Sequence, residues 1–194
     1  MSATATDYTQ LIRDWQGGDG SARDRLFQAV YPELQRIAQR QLQVAHYGHT
    51  LNSTALVHEL YAKLYGDHAE YENRSHFMAV AAKAMRHIIT DHIRRNHAQK
   101  RGGDLIQATL NTQLLTADSD PQATVEILDL LEQLEVLGER FITVVECRLF
   151  AGMSEDEIAE SLSVSRRTVQ RDWAKAVAWM RYRLDHRGDN APQA

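Results

Sequence analysis

Apolar residues recur along this chain at intervals of three and four, and that spacing constrains the fold more than any other feature. Such a period puts side chains on one face of an α-helix, whereas a half-buried strand needs strict alternation. In "LNSTALVHELYAKL", Leu56, Val57, Leu60 and Leu64 fall on one side and polar residues on the other. Only 3 prolines and 10 glycines occur in 194 residues, so little interrupts the pattern. The spacing predicts helices over about 5–16, 20–45, 53–66, 74–100, 122–136, 138–151, 155–162 and 165–186, and no strand. The expected fold class is all-α.

Hydrophobic content of 43% supports packed cores, and the length suits two small helical domains joined by a linker. Neither a long apolar run nor a charged-then-apolar N-terminus is present, so no membrane span and no secretory signal is expected, and the expected location is cytoplasmic. The single cysteine, Cys147, falls on an apolar helix face in "FITVVECRLF" and reads as a small buried hydrophobe. A disulfide framework is excluded.

The net charge is −4, yet charge is distributed in blocks. From Arg74 to Arg101 seven Lys or Arg stand against Asp91 alone, interspersed with His76, His87, His92 and His97. From Asp104 to Ser163 thirteen acids stand against Arg140 and Arg148. From Val164 to Arg187 seven basic residues stand against Asp172 and Asp185. Two basic helices therefore flank an acidic stretch, and segregated positive charge is compatible with nucleic-acid binding whatever the total. "RGGDLIQATLNTQLLTADSDPQAT", with Gly102, Gly103 and Pro121, reads as the linker between the halves.

"MSEDEIAESLSVSRRTVQRDWAKAVAWMRYRL" carries the most specific pattern. Ser154 suits an N-cap, and the three acids after it suit the first turn of a helix, where the dipole favours anions. Ile158, Ala159 and Leu162 make an apolar stripe. "SVS" supplies a turn with Val164 as its plug and Ser165 as the next N-cap. The following helix buries Val169, Trp173, Ala176, Val177 and Met180. This is the pattern of a helix-turn-helix, whose second helix enters the major groove by its N-terminal end. Arg166, Arg167, Thr168, Gln170 and Arg171 are then the candidate DNA contacts, because Arg reaches guanine edges or phosphates while Thr and Gln both donate and accept. Arg181, Arg183 and Arg187, further along, read as a solvated face.

On the first basic helix, Arg86, Arg94 and Arg95 can hold phosphates while His76 and Phe77 stack on unpaired bases; Phe77 also reads as core. His87, Asp91 and His92 have partial metal-ligand spacing without a second cluster, so no metal and no other cofactor is expected. No phosphate-cradling glycine loop, nucleophile elbow or catalytic dyad is evident, and the chain does not read as an enzyme.

A helical N-terminal half ending in a basic helix, a linker, and "EIAESLSVSRRTVQRDWAKAVAWMR" together resemble the ECF (extracytoplasmic function) sigma factors of the sigma-70 family, over roughly residues 7 to 185. "LNSTALVHELYAKL", "NRSHFMAVAAKAMRHIITDHIRR" and "QKRGGD" are similar to a branch of that family associated with Ser/Thr protein kinases. The resemblance implies a region-2 domain over 1–102 that docks on the β′ coiled coil of RNA polymerase core and opens the −10 element. It further implies a linker over 103–121, a region-4 domain over 122–187 that meets the β flap and binds the −35 element of promoter DNA, and a disordered tail over 188–194. The −10 contacts it implies are Asn73, Arg74, Lys83, Arg86, Arg94 and Arg95. The chain departs from the family at Ala82-Lys83-Ala84, where an Ala-Arg-Asn step is usual.

A second departure concerns the polymerase-binding helix. In most members it begins with a cluster of acids; here Asn52-Ser53-Thr54-Ala55 precedes Leu56-Val57-His58-Glu59, and only Glu59 keeps its charge. Asn52, Ser53, Thr54, His58 and Glu59 form the expected polymerase-binding set. A phosphate on Thr54, or on its neighbours Ser53 or Thr50, would add roughly −1.5 to −2 charges at a helix N-terminus and replace the missing patch. A Ser/Thr kinase is then an expected partner. The other reading of Asn52, Ser53 and Thr54 is simple helix capping, and the two can coexist. Competing readings of the whole chain are a stand-alone helix-turn-helix regulator that needs no polymerase, and a protein that only sequesters an anti-sigma partner.

Overall fold

The computed structural model describes residues 7–45, 51–65, 70–102, 130–131 and 133–186, and all its secondary structure is helical among them. The helices are α1 (Tyr8–Gln16), α2 (Gly20–Val44), α3 (Ser53–Tyr65), α4 (Arg74–Gly102), α5 (Glu139–Glu146), α6 (Glu155–Ser161) and α7 (Arg166–Asp185). A 3-10 turn, Leu134–Leu137, precedes α5, and one π-helical turn, Cys147–Ala151, follows it. The expected helices agree to within a few residues, except that the π turn replaces the end of the helix expected over 138–151. Only the last part of the helix expected over 122–136 is described. The linker expected over 103–121 and the tail over 188–194 lie outside the described residues.

Short polar residues start most of these helices by accepting a first-turn backbone N–H that has no partner within the helix. Asp7 accepts from Gln10 at 3.1 Å, Asp19 from Ser21 at 2.8 Å, and Asn52 from Ala55 at 2.8 Å. Asn73 accepts from His76 at 2.8 Å and Ser165 from Thr168 at 3.1 Å. Ser154 and Glu157 make a reciprocal capping box at the head of α6.

Helix α4 is the axis of the molecule. Ala81, Ala82, Met85 and Ile89 are buried, and α4 packs against α2 and α3 on one side and against α5, the π turn and α6 on the other. Its small residues let neighbours approach closely: Gln41 on α2 donates from Nε2 to the carbonyl of Ala82 at 2.9 Å. Near its start Phe77 is fully buried in an aromatic cluster, edge-on to Phe27 at 5.7 Å and to Tyr71 at 5.2 Å, with Trp15 stacked on Tyr71 at 5.3 Å. Of the two readings of Phe77, the core one holds: the ring is a fully buried core side chain.

One hydrophobic core runs through the whole. Leu131, Leu134, Ile142, Val145, Phe150 and Ala176 from the C-terminal half join Leu26, Leu34, Leu60, Phe77 and Met85 from the N-terminal half. A satellite cluster of Ala79, Val144, Cys147, Ile158 and Val169 continues it, and Trp173 packs against both. Residues from the N-terminal and C-terminal halves of the sequence thus share one core.

Cys147 lies in that satellite cluster, as its sequence context suggested. Burial, with the nearby Glu146 carboxylate, pushes its thiol up to about 12 from an ordinary 9.0. Three units lower the thiolate population about a thousandfold at neutral pH. The native chain is expected to react with a thiol reagent at pH 8 at least about a hundredfold more slowly than the urea-unfolded chain. Equal rates measured by mass shift would contradict the packing around Cys147.

Candidate functional site

The head of α3 separates the roles of its polar residues. Asn52 caps the helix, through its side chain to Ala55 N at 2.8 Å and through its carbonyl to Leu56 N at 3.0 Å. Ser53 and Thr54 are the first two helical residues and are not the cap. Leu56, Val57, Leu60 and Leu64 point into the core, so Asn52, Thr54, His58 and Glu59 face outward and are exposed, with Ser53 half-buried. The first turn of α3 holds no acid. The Thr54 hydroxyl receives a long contact from Gln35 Nε2 at 3.5 Å, which is weak by distance. Glu59 is joined to α4 by His92 Nε2 at 3.0 Å. Thr50 lies outside the described residues.

Three cationic side chains of α4, Arg74, Lys83 and Arg86, are engaged by acids from elsewhere. Arg74 pairs with Glu33 of α2 and lies 5.2 Å from the Tyr8 ring centroid. Lys83 Nζ donates to Glu139 at 2.9 Å and Ser75 Oγ to Glu160 at 2.7 Å. Arg86 Nε donates to Glu146 at 2.5 Å, and the two side chains are only 8% and 2% exposed. Asn73 is the N-cap of α4 and half-buried, while Arg94 and Arg95 are exposed. Three acids of the acidic block thus meet α4: Glu139 lies on Lys83, Glu146 on Arg86 and Glu160 on Ser75.

Two further contacts hold the same seam. Ser163 Oγ donates to Glu72 at 3.3 Å. Arg40 of α2 donates from Nε to the carbonyl of Leu149 in the π turn at 2.7 Å. Its guanidinium reaches there because the next bend is Gly152, with φ +68°; a Cβ on that residue would lie 2.7 Å from Arg40 Nη1.

Helices α6 and α7 are joined by a tight turn. Val164 N donates to the carbonyl of Ala159 at 3.0 Å, and Ser163 takes a positive φ of 52°. Val164 is half-buried. Val169 and Ala176 are buried on α7, with Trp173, Val177 and Met180 half-buried, close to the expected face. Asp172 is an addition that the pattern did not reveal. It is 1% exposed and accepts from Arg140 at 2.7 Å and from Arg171 at 3.3 Å.

Of the candidate DNA contacts, Arg166, Arg167, Gln170 and Arg171 are exposed on the first turns of α7. Thr168 is half-buried, its hydroxyl 2.8 Å from that of Ser165. Glu155, the first residue of α6, receives hydrogen bonds from Arg166, Gln170 and Arg148, and so binds the two helices together. Its sequence context suggested only a first-turn carboxylate.

Among the described residues no group of three or more His, Cys, Asp or Glu is placed to hold a metal ion, and no helix is long and apolar enough to cross a membrane. An all-α chain with a cationic central helix and an exposed basic helix end has the make-up of a transcription factor. The family model described as ECF sigma factor matches residues 5–186. The chain belongs to the ECF sigma factor family, whose members are non-enzymatic transcription initiation factors; RNA polymerase core and promoter DNA are the partners that membership implies. Comparison with curated proteins and with solved structures gives no match.

The seam between the halves has one deep ion pair and one shallow one. Burial pushes the Glu146 carboxyl above its ordinary value, while Arg86 pulls it back less strongly. Removing a partner from such a pair strands a buried charge. Glu146→Ala is expected to cost about 3–5 kcal/mol in urea unfolding, through the isolated Arg86. Glu139→Ala, which removes an exposed partner of Lys83, is expected to cost less than about 1 kcal/mol. Equal costs for the two would contradict the burial difference.

Proposed function

We propose that this chain is an alternative sigma factor held in a low-activity form until a Ser/Thr kinase phosphorylates the head of α3, Thr54 first and Ser53 or Thr50 as neighbours. This places the chain in the kinase-associated branch and in the cytoplasm. Residues 1–102 act as the region-2 domain, 103–121 as a linker, 122–187 as the region-4 domain and 188–194 as a tail. Asn52, Ser53, Thr54, His58 and Glu59 meet the β′ coiled coil, and the C-terminal domain meets the β flap.

The observation that carries the switch is the state of α3. Its outward first turn lacks acids, and Asn52 does the capping, so Thr54 presents an exposed hydroxyl at the head of a helix, held only weakly by Gln35 at 3.5 Å. Charge complementarity across an interface governs encounter and partner choice, and a turn with no carboxylate offers little to a basic surface. A phosphate there gains from the helix dipole and supplies acceptor oxygens to basic partners.

In this reading α6 and α7 form the helix-turn-helix. Arg166, Arg167, Thr168, Gln170 and Arg171 face the −35 element, with Arg167 the most direct phosphate or guanine contact. Asn73, Arg74, Lys83, Arg86, Arg94 and Arg95 serve the −10 element. Because Lys83 and Arg86 are paired with Glu139 and Glu146 in the docked form, engagement of polymerase must part the C-terminal half from α4 before those two side chains reach DNA. The stand-alone regulator is disfavoured because the family match spans both halves.

The test is binding of RNA polymerase core by the chain unmodified, phosphorylated at Thr54, and as Thr54→Ala after the same kinase treatment. The phosphorylated form is expected to bind at least about tenfold more tightly at low salt and to lose that advantage as salt rises. Equal tight binding by all three would remove the switch and keep the sigma factor. Absence of binding by all three would contradict the sigma reading itself.

A further inference from the structure

Glu155 occupies a place that neither the family nor the docking of the halves explains. Its Oε2 accepts from Gln170 Nε2 at 2.7 Å and from Arg166 Nε at 2.9 Å, while Oε1 accepts from Arg148 Nη1 at 3.0 Å. The Arg148 guanidinium in turn lies over the Trp173 ring at 4.6 Å. The carboxylate is therefore held from behind, and its forward oxygen is aimed at α7. Arg166 and Gln170 are four residues apart on that helix and share a face. The bonds from Gln170, then Arg166, keep the Glu155 carboxyl below its ordinary value, so it is ionised at neutral pH.

An ionised carboxylate only accepts hydrogen bonds. It therefore fixes the Gln170 amide in one sense, NH₂ toward Glu155 and Oε1 away; the turned-over amide would set oxygen against oxygen. Gln170 is exposed on the first turns of α7, the part of the second helix that a major groove meets in a helix-turn-helix. An outward carbonyl oxygen needs a donor, and among base edges in the major groove only adenine N6 and cytosine N4 supply one. Guanine and thymine present acceptors there. Glu155 also engages Nε of Arg166, while Asp156 draws Nη1 at 3.5 Å. Two acids beside Arg166 offset the positive charge that would otherwise hold any phosphate.

We propose that Glu155 is a specificity-determining residue of this sigma factor. By fixing the Gln170 amide it makes α7 select an amine-bearing base, adenine or cytosine, at one position of the upstream element, and it weakens the sequence-independent hold of Arg166 on phosphate. The proposal rests on the assignment of α6 and α7 to the −35 element.

The experiment uses the full chain bound to core polymerase and a promoter pool randomised across the upstream element, with selected sequences read out at two salt concentrations. The wild type is expected to enrich adenine or cytosine over guanine and thymine by about tenfold at one position. Glu155→Gln replaces an obligate acceptor by a group that also donates, so Gln170 can turn over. This variant is expected to lose that preference, to bind non-specific DNA several-fold more tightly and to steepen the salt slope by up to about one unit. Gln170→Ala is expected to lose the same preference with no change in salt slope, which separates base selection from charge. An unchanged base profile and salt slope in Glu155→Gln, alongside a lost preference in Gln170→Ala, would overturn the role of Glu155. A wild-type profile that survives both Gln170→Ala and Arg167→Ala would instead overturn the assignment of α7 to the upstream element, and the proposal with it.

Discussion

The pairing of Arg86 with Glu146 is the interaction on which the arrangement of the two halves turns. Neither charge is tolerable alone at such burial, since an unpaired ion loses its hydration without compensation. Arg86 sits on the central helix of one half and Glu146 at the end of α5 in the other, so each half completes the other's core. The apolar contacts around them gain from this proximity, and the Arg40 bond to the π turn clamps the same seam from α2. Such an ion pair adds little net stability over an apolar pair of equal size, but it penalises every docking register that leaves either group unmatched.

That specificity bears on function because the groups used in docking are the groups proposed to meet DNA. Lys83 and Arg86 are neutralised by carboxylates in the docked chain, and phosphates would have to replace those carboxylates. In the proposed open form the exchange is one of anion for anion. Arg94, Arg95 and Arg167 are exposed. At the other surface, the first turn of α3 lacks an anion and offers Thr54 as the place to add one. The same electrostatic currency therefore governs both the closed seam and the proposed activation, with acids present where they mask cations and absent where they would recruit a partner.

Much of the fold was legible because helical periodicity is local. The buried faces of α3 and α7 and the turn between α6 and α7 followed from residue spacing, and the caps at Asn52, Ser154 and Ser165 followed from Asn and Ser at helix heads. The π turn at Cys147–Ala151 was not legible, since a change in hydrogen-bond register leaves no mark in apolar spacing. Asp172 entered the sequence reading only as one of two acids in the second basic block, and it lies buried; its partner Arg140 is 32 positions away, beyond any local pattern. Arg86 was assigned to an open basic strip for the same reason. The blocks of opposite charge foretold attraction, but not that Glu139, Glu146 and Glu160 would align with Lys83, Arg86 and Ser75. Glu155 looked like one of three interchangeable first-turn acids, and only the folded turn sets it against Arg166 and Gln170.

In the proposed function, two DNA-facing surfaces on one chain, joined through polymerase, read a promoter of two parts. Run-off transcription from a fully randomised promoter pool tests it most directly. Core polymerase with this chain is predicted to yield transcripts from templates enriched for two elements at a fixed separation, starting a constant distance downstream, and core alone is predicted to yield none of them. Enrichment of a single element bound by the chain without core, and no defined start, would contradict the account.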